Sequence, residues 1–140
     1  RPLAPSLQFE LAKARIKARY ESDALTNIAY FNDSIKKQRY AIAQAAEYGL
    51  ALAHYENKDY QKSVKQLENL LAQDNKNLFY VDALTDAYIS VKAFDKAISM
   101  LAELNLLMPN NQVVSLNYAN ALQEAKKLNS NFLNSSIILS

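Results

Sequence analysis

The single histidine of the chain, His54, is its one candidate for acid–base or metal chemistry near neutral pH. A catalytic triad would need a serine and a carboxylate at a recognisable spacing from it, and the sequence shows no such arrangement. A zinc site needs several histidine or cysteine ligands, but the chain has one histidine and no cysteine. We therefore expect no catalytic residue, no metal site and no cofactor here, and we interpret His54 as a partly buried packing residue.

Two carboxylates offer a weaker hint of metal chemistry. Asp82 and Asp86 are four residues apart, so on a helix they lie on the same face and could bind a divalent cation together. A pair with this spacing is far more common as a solvated helix face, and we expect that here.

The first forty residues hold the only basic cluster, with eight Lys or Arg against four Asp or Glu. Its members are Lys13, Arg15, Lys17, Arg19, Lys36, Lys37 and Arg39. Residues two apart on a helix point in nearly opposite directions, so the first four cannot form one stripe. We interpret the cluster as solvated surface, with docking against an acidic face elsewhere in a longer protein as the alternative. The net charge of +2 is too small to predict nucleic-acid binding.

The composition indicates how such residues are positioned. One glycine and three prolines in 140 residues are too few for the turns of a barrel or sandwich, so we expect long helices in a single domain. No run of eighteen apolar residues occurs, so we expect no transmembrane segment. Because the first residue is Arg1, we expect the chain to be a segment of a longer protein.

A repeat of 34 residues organises the second half of the sequence. Its clearest copy, residues 78–111, contains Val81, Leu84, Thr85, Tyr88, Ala97, Leu101, Leu104 and Pro109. This spacing resembles the tetratricopeptide repeat, in which each unit is a pair of antiparallel helices. The preceding period, residues 44–77, matches less fully, and residues 112–140 match only in their first half.

The resemblance implies an all-α, right-handed solenoid of seven or eight helices. We expect a degenerate helix pair over 1–43, repeats over 44–77 and 78–111, and an incomplete C-terminal repeat over 112–140. Small residues should allow the paired helices to approach closely, namely Ala51, Ser63, Thr85, Ala97 and Ala119. The segments 74–77 (DNKN) and 109–111 (PNN) should end one unit and begin the next, because Asn tolerates turns and caps helices and Pro cannot continue a helix. Asp59 could likewise cap the second helix of its unit.

In tetratricopeptide solenoids the first helices of successive units line a concave binding face. Carried onto this sequence, the predicted partner-binding residues are Tyr48, Leu52, Tyr55, Phe79, Asp82, Asp86, Asn117, Asn120 and Gln123. The corresponding positions include no Lys or Arg, which argues against an acidic partner and favours a neutral or basic extended protein segment. The alternative is that Tyr48 and Phe79 only pack between neighbouring repeats.

A second resemblance extends over the whole chain. The segments SLQFELAKARIKARY (6–20), YGLALAHYENKDYQKSVKQLENLLA (48–72) and VSLNYANALQEA (114–125) are similar to the C-terminal repeat region of BepA-like periplasmic zinc metalloproteases. That family also acts as chaperones in outer-membrane protein assembly. Because the chain lacks the HExxH motif, the resemblance implies docking of an assembly machine or substrate, with any zinc in a missing catalytic domain.

Other hypotheses stay open at this point. The chain could be a repeat adaptor of a cell-envelope or cytoplasmic complex with no protease attached, or a stand-alone hydrolase that uses His54. The last residues include apolar side chains that a solenoid end would leave exposed, namely Phe132, Leu133, Ile137, Ile138 and Leu139. We expect them to be covered by a capping helix or by homodimerisation.

Overall fold

The computed structural model describes residues 3–139, without the side chains of Phe132 and residues 134–139. Its helices are α1 (Pro5–Glu56), α2 (Tyr60–Gln73), α3 (Leu78–Ser90), α4 (Phe94–Leu107) and α5 (Gln112–Leu139). No strand occurs among the described residues. The predicted all-α helical repeat fold is confirmed, although the described residues form five helices and not the expected seven or eight.

The chain divides into an N-terminal unit, residues 1–43, and a C-terminal unit, residues 44–140. In the C-terminal unit the 34-residue period is visible in the connections between helices. Lys58 and Lys92, one period apart, both adopt left-handed backbone angles, with φ of 66° and 64°. The amide that follows each of them, at Asp59 and Ala93, donates a 2.8 Å hydrogen bond back to the preceding helix. The same turn geometry therefore recurs at the same repeat position.

Small residues bring the paired helices of the C-terminal unit close together, as predicted. Ala51, Ser63, Thr85 and Ala97 are completely buried. The Ser63 hydroxyl donates a 2.9 Å hydrogen bond to the Ala51 carbonyl, which only a close approach of α1 and α2 allows. Ala119 differs from the other four because it is exposed. The reason is that α5 continues without interruption past residue 128, where the second helix of a complete pair would begin.

The predicted caps are partly confirmed. The Asn77 side chain accepts hydrogen bonds from the Phe79 and Tyr80 amides at 3.0 and 3.3 Å, and Asn111 accepts one from Val114 at 3.1 Å. Asp59 precedes α2, but its side chain makes no cap hydrogen bond, so that prediction is wrong.

Asp59 has other partners instead. Its carboxylate accepts a 2.9 Å bond from the Asn57 side chain and lies 3.8 Å from Nδ1 of His54. These contacts draw the carboxylate away from the first amides of α2.

The predicted helix pair over residues 1–43 is wrong. From Pro5 onward the N-terminal unit consists of the first part of α1, which ends at Glu56. Residues 21–24 contain neither Gly nor Pro to end a helix, and the Thr26 hydroxyl donates a 3.0 Å bond to the Ser22 carbonyl one turn earlier. Within residues 3–43 every side chain except that of Ser34 is exposed.

The basic cluster lies on this exposed helix. Lys13 pairs with Glu10, and Lys37 pairs with Asp33, each at 3.1 Å and within its own turn of helix. These local pairs fit the interpretation of the cluster as solvated surface.

Two expectations concern the membrane and the C-terminal end. Among the described residues no helix is long and apolar enough to cross a membrane. At the end of α5, Leu133 is exposed, while the side chains of Phe132, Ile137, Ile138 and Leu139 lie outside the described residues. Dimerisation through this end therefore stays a prediction.

Candidate functional site

Two neighbouring cavities lie on one face of the C-terminal unit, and we call them together the groove. The first, of about 180 Å³, lies between the end of α1 and α3. Its walls are Tyr48, Leu52, Tyr55, Glu56, Asp82, Ala83 and Asp86, over a floor of Ser63 and Leu67. The second, of about 380 Å³, is lined by Leu78, Phe79, Asp82 and Val113. Asp82 thus lines both cavities.

The aromatic walls of the first cavity are held in place by neighbouring side chains. The Tyr48 ring lies 5.3 Å from that of Tyr80, and the Tyr55 ring meets that of Tyr60 edge-on at 5.2 Å. The Ser90 hydroxyl donates a 2.9 Å hydrogen bond to the Asp86 carbonyl, which leaves its oxygen free to accept from the Tyr55 hydroxyl 3.4 Å away. Both tyrosines are half-buried, so they pack between helices and line the cavity at the same time.

Phe79 behaves differently from the tyrosines. It lies in the first turn of α3, and 73 % of it is exposed. The alternative that Phe79 only packs between repeats is therefore wrong. An exposed aromatic side chain beside an apolar cavity is a suitable anchor for a partner.

Asn117 lies at the predicted face but has a different role from the one predicted. It is 7 % exposed, and its Nδ2 donates 3.0 Å bonds to Oδ1 of Asp82 and to the Val113 carbonyl. Both N–H donors of the side-chain amide are therefore used within the protein. Instead of donating to a ligand, Asn117 holds Asp82 in position.

The charge around the groove is negative. Glu56, Asp82 and Asp86 line the cavities, and no Lys or Arg does. Burial, together with the charge of Asp82, raises the pKa of Asp86. Burial also raises the pKa of Tyr48, helped by the neighbouring Asp82 and Tyr80. A cation that entered the groove would relieve this repulsion.

The remaining predicted residues lie apart from the cavities. Asn120 and Gln123 are exposed on α5 and line neither of them. His54 is partly buried, as expected, with its side chain 25 % exposed beside Asp59. Among the described residues, no group of three His, Cys, Asp or Glu side chains could hold a metal ion.

Sequence reasoning missed some residues of the groove. Leu78 was assigned no role, although it lines the second cavity. Ser63 was predicted only as a helix-contact residue, yet together with Leu67 it forms the floor of the first cavity. The 34-residue period placed these residues on helices but gave no sign of the space left between them.

Comparison of the sequence with known proteins identified relatives that share one name. No protein-family model and no solved structure matches the chain. A protein of Escherichia coli K12 named beta-barrel assembly-enhancing protease is 34 % identical over 116 residues, which are 83 % of this chain and 24 % of that protein. A Yersinia pestis protein with the same name is 29 % identical over 126 residues, which are 90 % of this chain and 26 % of that protein.

A Vibrio cholerae protein that bears a provisional form of the same name is 40 % identical over 126 residues. That match covers 89 % of this chain and 26 % of the Vibrio protein. The chain spans about a quarter of the length of the curated relatives it matches. Most of the chain is therefore similar to one region of beta-barrel assembly-enhancing proteases.

Proposed function

We propose that the C-terminal unit is a protein-binding region that holds an extended, neutral or basic segment of a partner in the groove. The observation that carries the proposal is the position of Asp82, a carboxylate fixed by Asn117 between two cavities with aromatic walls. A side chain fixed before binding loses little freedom when a partner arrives.

The shape and chemistry of the groove favour an extended segment. Each cavity has room for one or two side chains, and an extended chain presents alternate side chains to the same side. Tyr48, Tyr55 and Phe79 provide rigid contact area. The three carboxylates of the lining repel an acidic segment and attract Lys or Arg. We expect an affinity of roughly micromolar, because a shallow groove offers few fully desolvated contacts.

The relatives suggest the setting in which this binding is used. Their name describes proteases that enhance beta-barrel assembly, and this chain corresponds to a quarter of them and contains no HExxH motif. We infer that the region recruits an outer-membrane assembly machine or its unfolded substrate in the periplasm, while proteolysis is carried out elsewhere in the longer protein. A zinc ion of such a protein would need ligands outside the described residues.

A peptide titration tests the proposal. A fluorescent ten-residue peptide with two lysines among apolar residues is titrated with the protein, beside a matched peptide in which glutamates replace the lysines. We expect the lysine peptide to bind at least about tenfold more tightly, because like charges across an interface are costly. Equal binding of the two peptides, or none, contradicts the proposal.

A matched pair of variants locates the binding surface. Phe79→Ala should weaken peptide binding about 5- to 100-fold, the range typical of an aromatic anchor. Leu106→Ala is the control, because Leu106 is also strongly exposed, at 84 %, but belongs to α4 and lines neither cavity. Neither change should alter the melting temperature much. Equal effects of the two variants on binding would exclude the groove as the binding surface.

A further inference from the structure

The N-terminal unit, taken by itself, carries many large apolar side chains that are exposed. Its large apolar residues are all at least 40 % exposed. They are Leu3, Leu7, Phe9, Leu11, Ile16, Tyr20, Leu25, Ile28, Tyr30, Phe31, Ile35, Tyr40 and Ile42. Apolar surface of this extent usually marks an interface.

Part of this surface follows the spacing of a coiled coil. From residue 7 to residue 42, steps of four and three residues alternate without a break, which is the seven-residue pattern of helices that pair side by side. We call these eleven positions the seam: Leu7, Leu11, Ala14, Ala18, Glu21, Leu25, Ile28, Asn32, Ile35, Arg39 and Ile42. All of them are exposed on α1.

The polar residues of the seam distinguish between the ways in which two copies could pair. Parallel pairing in register would place Glu21 against Glu21 and Arg39 against Arg39, which is repulsive. Antiparallel pairing centred on residue 30 places Glu21 of each copy against Arg39 of the other. Shifting the antiparallel pairing by one heptad in either direction separates these charges. Glu21 and Arg39 form no ion pair with any described residue of their own chain, so both are available.

The apolar positions fit the same register. It places Ala18 opposite Ile42 and Leu25 opposite Ile35, so these apolar residues of the seam face one another. Phe31, 61 % exposed and beside the seam, meets its own copy at the centre. Asn32 faces Ile28 near the centre, where one polar residue can fix the register at some cost in stability.

We propose that residues 18–42 of α1 pair with the same residues of a second copy as an antiparallel coiled coil centred on residue 30. None of these residues lines the groove, so this proposal does not depend on peptide binding.

A charge-reversal cycle on the 140-residue chain tests the pairing by sedimentation equilibrium. We expect the parent chain to dimerise, and either Glu21→Arg or Arg39→Glu to raise the dimer dissociation constant about a hundredfold. The double variant should regain most of the parent affinity, which only an antiparallel arrangement predicts. Arg19→Glu makes the same charge change on the outer face of the helix and should have little effect.

Cysteine cross-linking gives an independent measure of direction, because the chain has no cysteine of its own. Phe31→Cys should form a disulfide-linked dimer on mild oxidation, whereas Leu25→Cys should not, since its copy lies about 15 Å away along the helix. The reverse pattern would indicate parallel pairing. A parent chain that stays monomeric up to its solubility limit, or a dimer that the charge reversals leave unchanged, overturns the proposal.

Discussion

Asn117 of α5 donates a 3.0 Å hydrogen bond to Asp82 of α3, across 35 residues of sequence. The interval is close to one repeat, so the bond joins equivalent helices of neighbouring repeats. Since Asp82 lines both cavities of the groove, this bond links the packing of α5 to the shape of the binding face.

Replacing Asn117 should therefore affect both stability and binding. We expect Asn117→Ala to lower the free energy of unfolding by about 1–3 kcal/mol, because a buried hydrogen bond is lost. It should also weaken binding of the lysine peptide, since Asp82 is no longer held. Urea unfolding and peptide titration measure the two effects, with Asn120→Ala on the exposed side of α5 as the control. Unchanged peptide binding would show that Asn117 does not position the groove.

Asp86 should show a trade-off between stability and binding. The pKa of Asp86 is raised, which means that the folded state favours the protonated carboxyl group. The protonated group therefore stabilises the fold at low pH, and this stabilisation is lost as the pH rises through the titration range of Asp86. At pH 7 the ionised carboxylate therefore destabilises the fold. We expect Asp86→Asn to raise the melting temperature at pH 7 but not at pH 3, and to weaken binding of the lysine peptide.

Asp23→Asn provides the matched control for Asp86→Asn. Asp23 is exposed in the N-terminal unit and lines neither cavity, so its replacement should change neither property much. A lower melting temperature of Asp86→Asn at pH 7 would mean that the ionised carboxylate stabilises the fold, which is the opposite of the predicted effect.

Tyr88 should control stability at alkaline pH. Its hydroxyl donates a 2.6 Å bond to Glu68, and burial together with that bond and the charge of Glu68 raises the pKa of Tyr88 above the usual 10.0. The protonated Tyr88 hydroxyl therefore makes its full contribution to the free energy of unfolding below pH 10, and this contribution declines as the pH rises further. Tyr88→Phe should cost about 1.5–3 kcal/mol at pH 7 and make stability less sensitive to alkali.

Chemical unfolding at pH 7 and pH 11 measures the effect of Tyr88→Phe. Tyr20→Phe, at a position 77 % exposed, is the control and should change neither value. A Tyr88→Phe variant that loses as much stability as the parent chain between these pH values would contradict the assignment.

Substitutions at Ala97 and Ala119 test whether the C-terminal repeat lacks the second helix of a complete pair. Ala97 is fully buried, so Ala97→Leu should lower the free energy of unfolding by about 1–3 kcal/mol through overpacking. Ala119 belongs to the first helix of its repeat, as does the buried Thr85 one period earlier, but it is exposed, so Ala119→Leu should change stability by less than about 0.5 kcal/mol. Urea unfolding compares the two. A large loss in Ala119→Leu would mean that a helix covers this site.

The sequence predicted those features that depend on local spacing. The 34-residue period identified the small residues Ala51, Ser63 and Ala97 at the helix contacts, and Asn77 caps as expected because capping needs only nearby amides. The resemblance to tetratricopeptide repeats predicted that Tyr48, Leu52, Tyr55, Asp82 and Asp86 share one face, and these five residues line one cavity.

Features that depend on distant contacts or on competing partners were not predicted. The role of Asn117 requires the position of Asp82 one repeat away, and Asp59 fails to cap because Asn57 binds its carboxylate. The helix pair expected over residues 1–43 rested on two separate runs of apolar residues at helical spacing, 7–18 and 25–35. A change of pattern without Gly or Pro does not by itself end a helix.

The two cavities of the groove differ in chemistry, and this difference gives the groove a polarity. The first has three carboxylates and two phenol rings, whereas the second has one shared carboxylate among apolar side chains. A segment that carried a lysine at one end and a leucine at the other would fit in one orientation and not when reversed. The N-to-C direction of a bound chain would thus be set by which of its ends carries the cationic side chain.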